Sequence, residues 1–202
     1  MQGSPIDWDI ICYESRHGRL FNLLLKLPRE CWAERDKYGR TLLHYACHGP
    51  NVATVVALLR SGLLDVSTGS EAGWTPAHWA AWAVQACVLE LLCAAGADLR
   101  ARNEDGNAPI DFALMNARLD GGEIVRVLVA NGVRLSTVHK SNLKYITPKL
   151  ESFEQGVLRC RTAVVTILRV KHVANLWNWD KFLLKEIAFA VWATRYNDNW
   201  QT

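Results

Sequence analysis

Gly73-Trp74-Thr75-Pro76-Ala77-His78-Trp79-Ala80 occurs in this chain in three versions. The others are Gly39-Arg40-Thr41-Leu42-Leu43-His44-Tyr45-Ala46 and Gly106-Asn107-Ala108-Pro109-Ile110-Asp111-Phe112-Ala113. Their glycines stand 34 and then 33 residues apart, and self-similarity at a fixed period of this size marks a chain built from stacked copies of one small unit. Each opening is followed by a second apolar stretch and a glycine: Val55-Val56-Ala57-Leu58-Leu59 to Gly62, Val88-Leu89-Glu90-Leu91-Leu92 to Gly96, and Ile124-Val125-Arg126-Val127-Leu128 to Gly132. The spacing predicts two helices per unit. The threonine-type opening caps the first helix, proline is tolerated at its start, and the glycine after the second helix supplies a left-handed exit.

These residues resemble the ankyrin repeat, with Thr75-Pro76-Ala77-His78 at the opening and Gly96-Ala97-Asp98-Leu99-Arg100-Ala101 at the exit. Leu42 stands where the motif has proline and Asp111 where it has histidine. The third unit is longer between its helices, from Asn116 to Gly122, so its turn is expected to protrude. Run backwards, the register places Ile10, Tyr13, Phe21, Leu24 and Leu25 in the core of an N-terminal capping unit over residues 5–28, with Arg16, His17, Arg19 and Lys26 on its exposed side. The expected fold is all-α: an ankyrin solenoid of about four helix pairs over 5–138, followed by a C-terminal helical pair over 148–197.

Ser136 to Thr147 reads as a connector. From Leu150 to Val170 apolar residues recur at helical spacing (Phe153, Val157, Cys160, Val164, Ile167, Leu168), which predicts a helix. A second helix is expected from Trp179 to Arg195, apolar around most of its circumference, so that Leu184, Ile187, Val191 and Trp192 are candidates for a second interface. The segment from Cys160 to Trp200 resembles the tails that follow ankyrin repeats in proteins of large DNA viruses and some protists. Its Leu183-Leu184-Lys185-Glu186-Ile187-Ala188 is similar to the first helix of F-box-like tails. That resemblance implies an adaptor that recruits substrates to a ubiquitin ligase.

Composition sets broad limits. Half of the 202 residues are hydrophobic, with 9 Trp, 5 Tyr and 5 Phe against 21% charged, so the chain can build a core and is not of disordered composition. Six cysteines without a CxxC pair fit a reducing, intracellular compartment, and MQGSPIDWDI shows no cleavable secretory signal. The uncharged run from Ala72 to Leu89 is divided by the repeat register into two helices, so no membrane span is expected. The net charge of +3 says little about a partner, but the stretch from Arg134 to Lys171 is locally basic. Nucleic-acid contact there is the weakest of three alternatives.

The sequence contains no nucleophile elbow, Walker loop, dinucleotide fingerprint or paired metal carboxylates. Neither catalytic residues nor a cofactor are expected. His44 and His48, at i and i+4 with Cys47 between, have a zinc-compatible spacing. His44 nevertheless occupies the ankyrin histidine position, which implies a structural ring, and no metal is expected. What remains is binding. The positions that vary freely in ankyrin stacks are Lys37, Tyr38, Arg40 and His48; Glu71, Trp74 and Trp82; and Glu104, Asp105, Asn107, Met115 and Asn116. Exposed tryptophans beside tyrosine and arginine have the composition of an interface hot spot, whereas Trp79 is expected in the core. The function expected is a non-catalytic protein-interaction module or assembly subunit that binds a protein through the concave ankyrin face.

Overall fold

The computed structural model of the chain describes residues 6–116 and 121–174. The tip of the third unit at 117–120 and the helix expected at 179–195, with Leu184, Ile187, Val191 and Trp192, lie outside these residues. So does the F-box-like stretch. The chain divides into two units, one ending at Ile146 and the other beginning at Thr147.

The first unit stacks helices in pairs: α1 (Trp8–Arg16) with α2 (Leu20–Leu24), α3 (Leu42–His48) with α4 (Val52–Ser61), α5 (Pro76–Trp82) with α6 (Ala86–Ala94), and α7 (Pro109–Met115) with α8 (Gly121–Ala130). The first helices pack in the row α1, α3, α5, α7, and α2, α4, α6 and α8 form a parallel row behind them. The core lies between the rows, where Leu43, Leu58, Ala77, Leu89, Leu92, Ile110, Ile124 and Leu128 are wholly enclosed. Gly62, Gly96 and Gly132 leave the second helices at φ of 67°, 85° and 94°, the left-handed exit that their sequence positions predict. Among the described residues the chain is all-α, in the paired arrangement of an ankyrin solenoid.

Each opening glycine ends a β-turn finger built on a short polar residue. Asp36, Ser70 and Asn103 accept through their side chains from the backbone N–H four residues on, Arg40 at 2.8 Å, Trp74 at 3.2 Å and Asn107 at 2.9 Å. The reverse backbone bonds, Asp36 N–H to the Arg40 carbonyl, Ser70 to Trp74 and Asn103 to Asn107, close the fingers. Neighbouring tips are joined by Glu71 N–H to the Tyr38 carbonyl and Glu104 N–H to the Ala72 carbonyl. Gly73 sits at φ 72°, and a Cβ there would lie 3.1 Å from the Asn103 Cα, so both conformation and the next finger require glycine.

The histidines tie unit to unit. The Thr41 and Thr75 backbone N–H groups donate to Nδ1 of His44 and His78 at 3.0 and 3.1 Å. The opposite ring nitrogens, Nε2, then donate to the Trp74 and Asn107 carbonyls of the next finger at 2.9 and 3.1 Å. In the third unit Asp111 keeps the cap, accepting from Ala108 N–H at 2.8 Å, but its other oxygen can only accept. It takes the His139 N–H at 2.7 Å and the Asn142 amide at 3.0 Å.

Two expectations need correction here. The stretch from Ser136 to Thr147 is no simple connector: it forms 3₁₀ turns at Leu135–Thr137 and Lys140–Tyr145, and the second packs on α7. The reason is the Asp111 acceptor, which draws in N–H donors at the point where a further finger would present a carbonyl. The capping unit also has another register. Leu24 is buried as expected and Phe21 is half-buried, but Ile11, Ser15 and Leu20 are enclosed in place of Ile10, Tyr13 and Leu25, which are 48%, 55% and 69% exposed. Among the described residues α1 has a repeat neighbour on one side, α3, so a single stripe is covered; Ser15 Oγ, on that stripe, donates to the Tyr45 carbonyl. A 3₁₀ turn at Arg29–Ala33 adds Cys31 and Trp32 to the core, beyond the boundary read from the pattern.

The second unit contains α9 (Pro148–Ala174), a 27-residue helix that includes the periodic face of Phe153, Val157 and Cys160. Leu150 N–H donates to Thr147 Oγ1 at 3.3 Å at its start. No helix among the described residues is long and apolar enough to cross a membrane. The locally basic stretch has residues in both units, Arg134, Lys140 and Lys144 in the first and Arg159 and Arg161 in the second.

Candidate protein-binding face

The side chain that organises the face is Asp36, which the pattern of variable positions passes over. It is 8% exposed. Its Oδ1 accepts from the Tyr38 and Arg40 backbone at 2.9 and 2.8 Å, and Oδ2 accepts from Arg40 Nε at 2.6 Å and from the Tyr45 hydroxyl at 2.8 Å. Burial alone would raise this carboxyl, but those four bonds outweigh it and hold it below the usual aspartate value. The ionised Asp36 therefore aims two side chains, Arg40 and Tyr45, across the first helices. Tyr45 is pushed well above the ordinary phenol value, first by burial and then by the bond to Asp36.

From Arg40 an aromatic tract runs across three repeats. The guanidinium carbon lies 4.6 Å from the Tyr38 ring centroid, 5.0 Å from Tyr45 and 5.9 Å from Trp79. Trp79 is 6.0 Å from Tyr45, 5.7 Å from His48 and 6.4 Å from Trp74. His48 continues to Trp82 at 5.3 Å, Trp74 continues to Phe112 at 4.5 Å, and Trp8 stacks on Tyr45 at 5.8 Å. Offset and edge-on pairs at these separations are the favourable geometries for rings.

The site residues expected from sequence divide into groups. Tyr38, Arg40, His48, Trp74 and Trp82 are brought together, linked through Trp79. Tyr38 and Trp82 are each 49% exposed, whereas Trp74 is half-buried against its neighbours. Lys37 sits with its Nζ 5.0 Å from the Tyr38 ring. Glu71, Glu104 and Asp105 are exposed along the joined fingertips, and Asn107 is half-buried on the third finger. Met115, 49% exposed, and Asn116, which donates to the Trp82 carbonyl at 3.0 Å, stand at the far ends of the first helices. Trp79 is a correction: it is half-buried and forms the hub of the surface tract, not an enclosed core residue. Its place is shared by Tyr45 and Phe112, the fourth residue after Thr41, Thr75 and Ala108 in each unit. That recurrence of aromatics at one register was the available signal for the tract.

His48 is lowered from the ordinary histidine value by burial and then by the charge of Arg16. His44 is held to the Thr41 and Trp74 backbones through both ring nitrogens, the structural role its position implies. Cys47 is enclosed, and burial raises its thiol. Among the described residues no cluster of His, Cys, Asp or Glu is arranged to hold a metal ion. No two of the six cysteines are joined by a disulfide.

The chain matches the family model for ankyrin repeats (three copies) over residues 10–103. It is 36% identical over 80 residues to the palmitoyltransferase AKR1 of Candida albicans, which is 40% of this chain and 10% of that protein. With the oxysterol-binding protein-related protein 1 of Mus musculus it shares 33% identity over 141 residues, 69% of this chain and 13% of the relative. With protein phosphatase 1 regulatory subunit 27 of Homo sapiens it shares 37% over 74 residues, 37% of this chain and 47% of the relative. The chain thus spans about a tenth of the length of the first two relatives, and the likeness runs through the ankyrin region. Matched over residues 10–103 and folded there as stacked helix pairs with β-turn fingers, this part of the chain is a stack of ankyrin repeats.

Proposed function

We propose that this chain is a non-catalytic interaction module or assembly subunit that binds a protein partner through its fingers and first helices. Ankyrin repeats are in general protein-interaction modules. The observation that supports this face over any other is the tract itself: two large aromatics, Tyr38 and Trp82, left half exposed at the ends of a ring network that already contains an arginine. Aromatic residues and arginine are the types that dominate binding energy at interfaces. One relative carries a name that describes action on another protein, a regulatory subunit of protein phosphatase 1.

The test begins with partners co-purified with the full chain. Tyr38→Ala and Trp82→Ala are each expected to weaken the resulting complex by about 2 kcal/mol or more while leaving the melting temperature within a few degrees of the parent. Unaltered affinity in both variants would remove this face from the account.

A further inference from the structure

Arg40 is held in place before any partner arrives. Its backbone N–H and its Nε both end on Asp36, at 2.8 and 2.6 Å, and three rings surround its guanidinium carbon at 4.6 to 5.9 Å. A surface arginine ordinarily spends rotamer entropy when it binds; one already fixed loses less for each bond it forms. Asp36 engages the guanidinium through Nε, so that contact does not consume the paired Nη groups, the edge that binds a carboxylate with two parallel hydrogen bonds. A quarter of the Arg40 side chain remains exposed.

The surroundings select an anion. Lys37 stands next to Arg40 on the same finger; burial chiefly lowers His44 and His48, and the charges of Arg35 and Arg16 add to it there, with Asp36 opposing at His44. The finger's own acid, Asp36, is buried and accepts four bonds from the finger and Tyr45, so it is turned inward and not toward a ligand. Glu71, on the next tip, has its N–H on the Tyr38 carbonyl and marks where this positive region ends. Beyond Trp79 the tract offers His48 and the half-exposed Trp82, an apolar seat one ring away from the guanidinium.

From this arrangement we infer that Arg40 is the anchor for a carboxylate of the partner, an aspartate or glutamate side chain in a segment whose neighbouring apolar side chain lies on His48 and Trp82. Asp36 is the positioning residue: it sets the direction and plane of Arg40 and does not touch the partner. The inference rests on the reading of this face as a protein-binding surface and adds the chemistry of what it recognises.

A displayed library of random short peptides, selected on the folded full chain, tests it without knowledge of the natural partner. Enriched peptides are expected to share an acidic residue beside an aromatic or aliphatic one. In a synthetic copy of the best binder, replacing that acid by its amide should weaken binding roughly thirtyfold. Arg40→Lys keeps the charge but not the flat, two-bond edge, and should recover only a part of the loss seen with Arg40→Gln. Lys37→Glu, at an exposed position, weakens binding several-fold and covers the case in which Arg40 variants fail to fold. Peptides selected without an acid, or an amide analogue that binds as well as the acid, would overturn the inference. If binding is lost in Trp82→Ala but unchanged in Arg40→Gln, the carboxylate anchor fails while the face stands. Equal binding to all variants, or no enrichment at all, would reject both.

Discussion

His44 and His78 show what one side chain does in this fold. Each ring must be neutral, with Nδ1 accepting from its own threonine N–H and Nε2 donating to the next finger. Burial is the main cause that lowers both, and His44 falls from 6.5 to about 4. The neutral form is therefore favoured by folding, and the stability it contributes is present above the unfolded value of 6.5. It is lost as pH falls from there toward about 4. Denaturant midpoints measured at intervals between about pH 7.5 and about pH 4.5 should fall across that window, and His44→Gln should flatten the fall. A midpoint equally steep in the variant would assign the pH dependence to other groups. The histidines were legible because they fall in the repeated opening. Asp36 was not, because it lies before the glycine and its role emerges only when the finger folds and brings Arg40 and Tyr45 onto the same carboxylate.

The fingers and helix ends carry the next lesson. Gly73→Ala combines a positive φ with a close approach to the Asn103 backbone, and should destabilise the protein by about 1–3 kcal/mol in chemical denaturation. At Gly62 the φ is similar but nothing lies within 4 Å of the added Cβ, so Gly62→Ala should cost less. Asp111→His tests the inverted bond at the end of the stack. The substitution restores the repeat's usual residue, but with Nδ1 on Ala108 N–H it would aim an N–H donor at the His139 N–H. It should lower stability by about 1–3 kcal/mol through the loss of a buried acceptor, whereas a stabilising effect would show that the 139–142 segment does not depend on this contact. The capping register went unread for a related reason. Periodicity locates helices, but which side of α1 is covered depends on α3, and Ile10 and Ile11 are equivalent until that neighbour is in place.

At the scale of the whole molecule, the number and pairing of the repeat helices followed from the glycine spacing and the recurring openings, since a fixed period forces copies of one unit to stack. The aromatic tract proposed as the binding face was half legible. Exposed positions come from the scaffold's register, so Tyr38, Arg40, His48 and Trp82 could be named, but the ring network that joins them runs through Trp79 and Tyr45, which the same register marks as inward. Those two connect the scaffold to the face, so Trp79→Ala should lower both melting temperature and partner affinity. The most direct test of the account is therefore the pair Trp82→Ala and Trp79→Ala, each followed by thermal unfolding and by titration with the co-purified partner. Trp82→Ala should lose most of its affinity at an unchanged melting temperature, while Trp79→Ala should lose both together. A Trp82→Ala protein that binds like the parent, or that unfolds as readily as Trp79→Ala, would contradict the claim that this face exists to bind another protein.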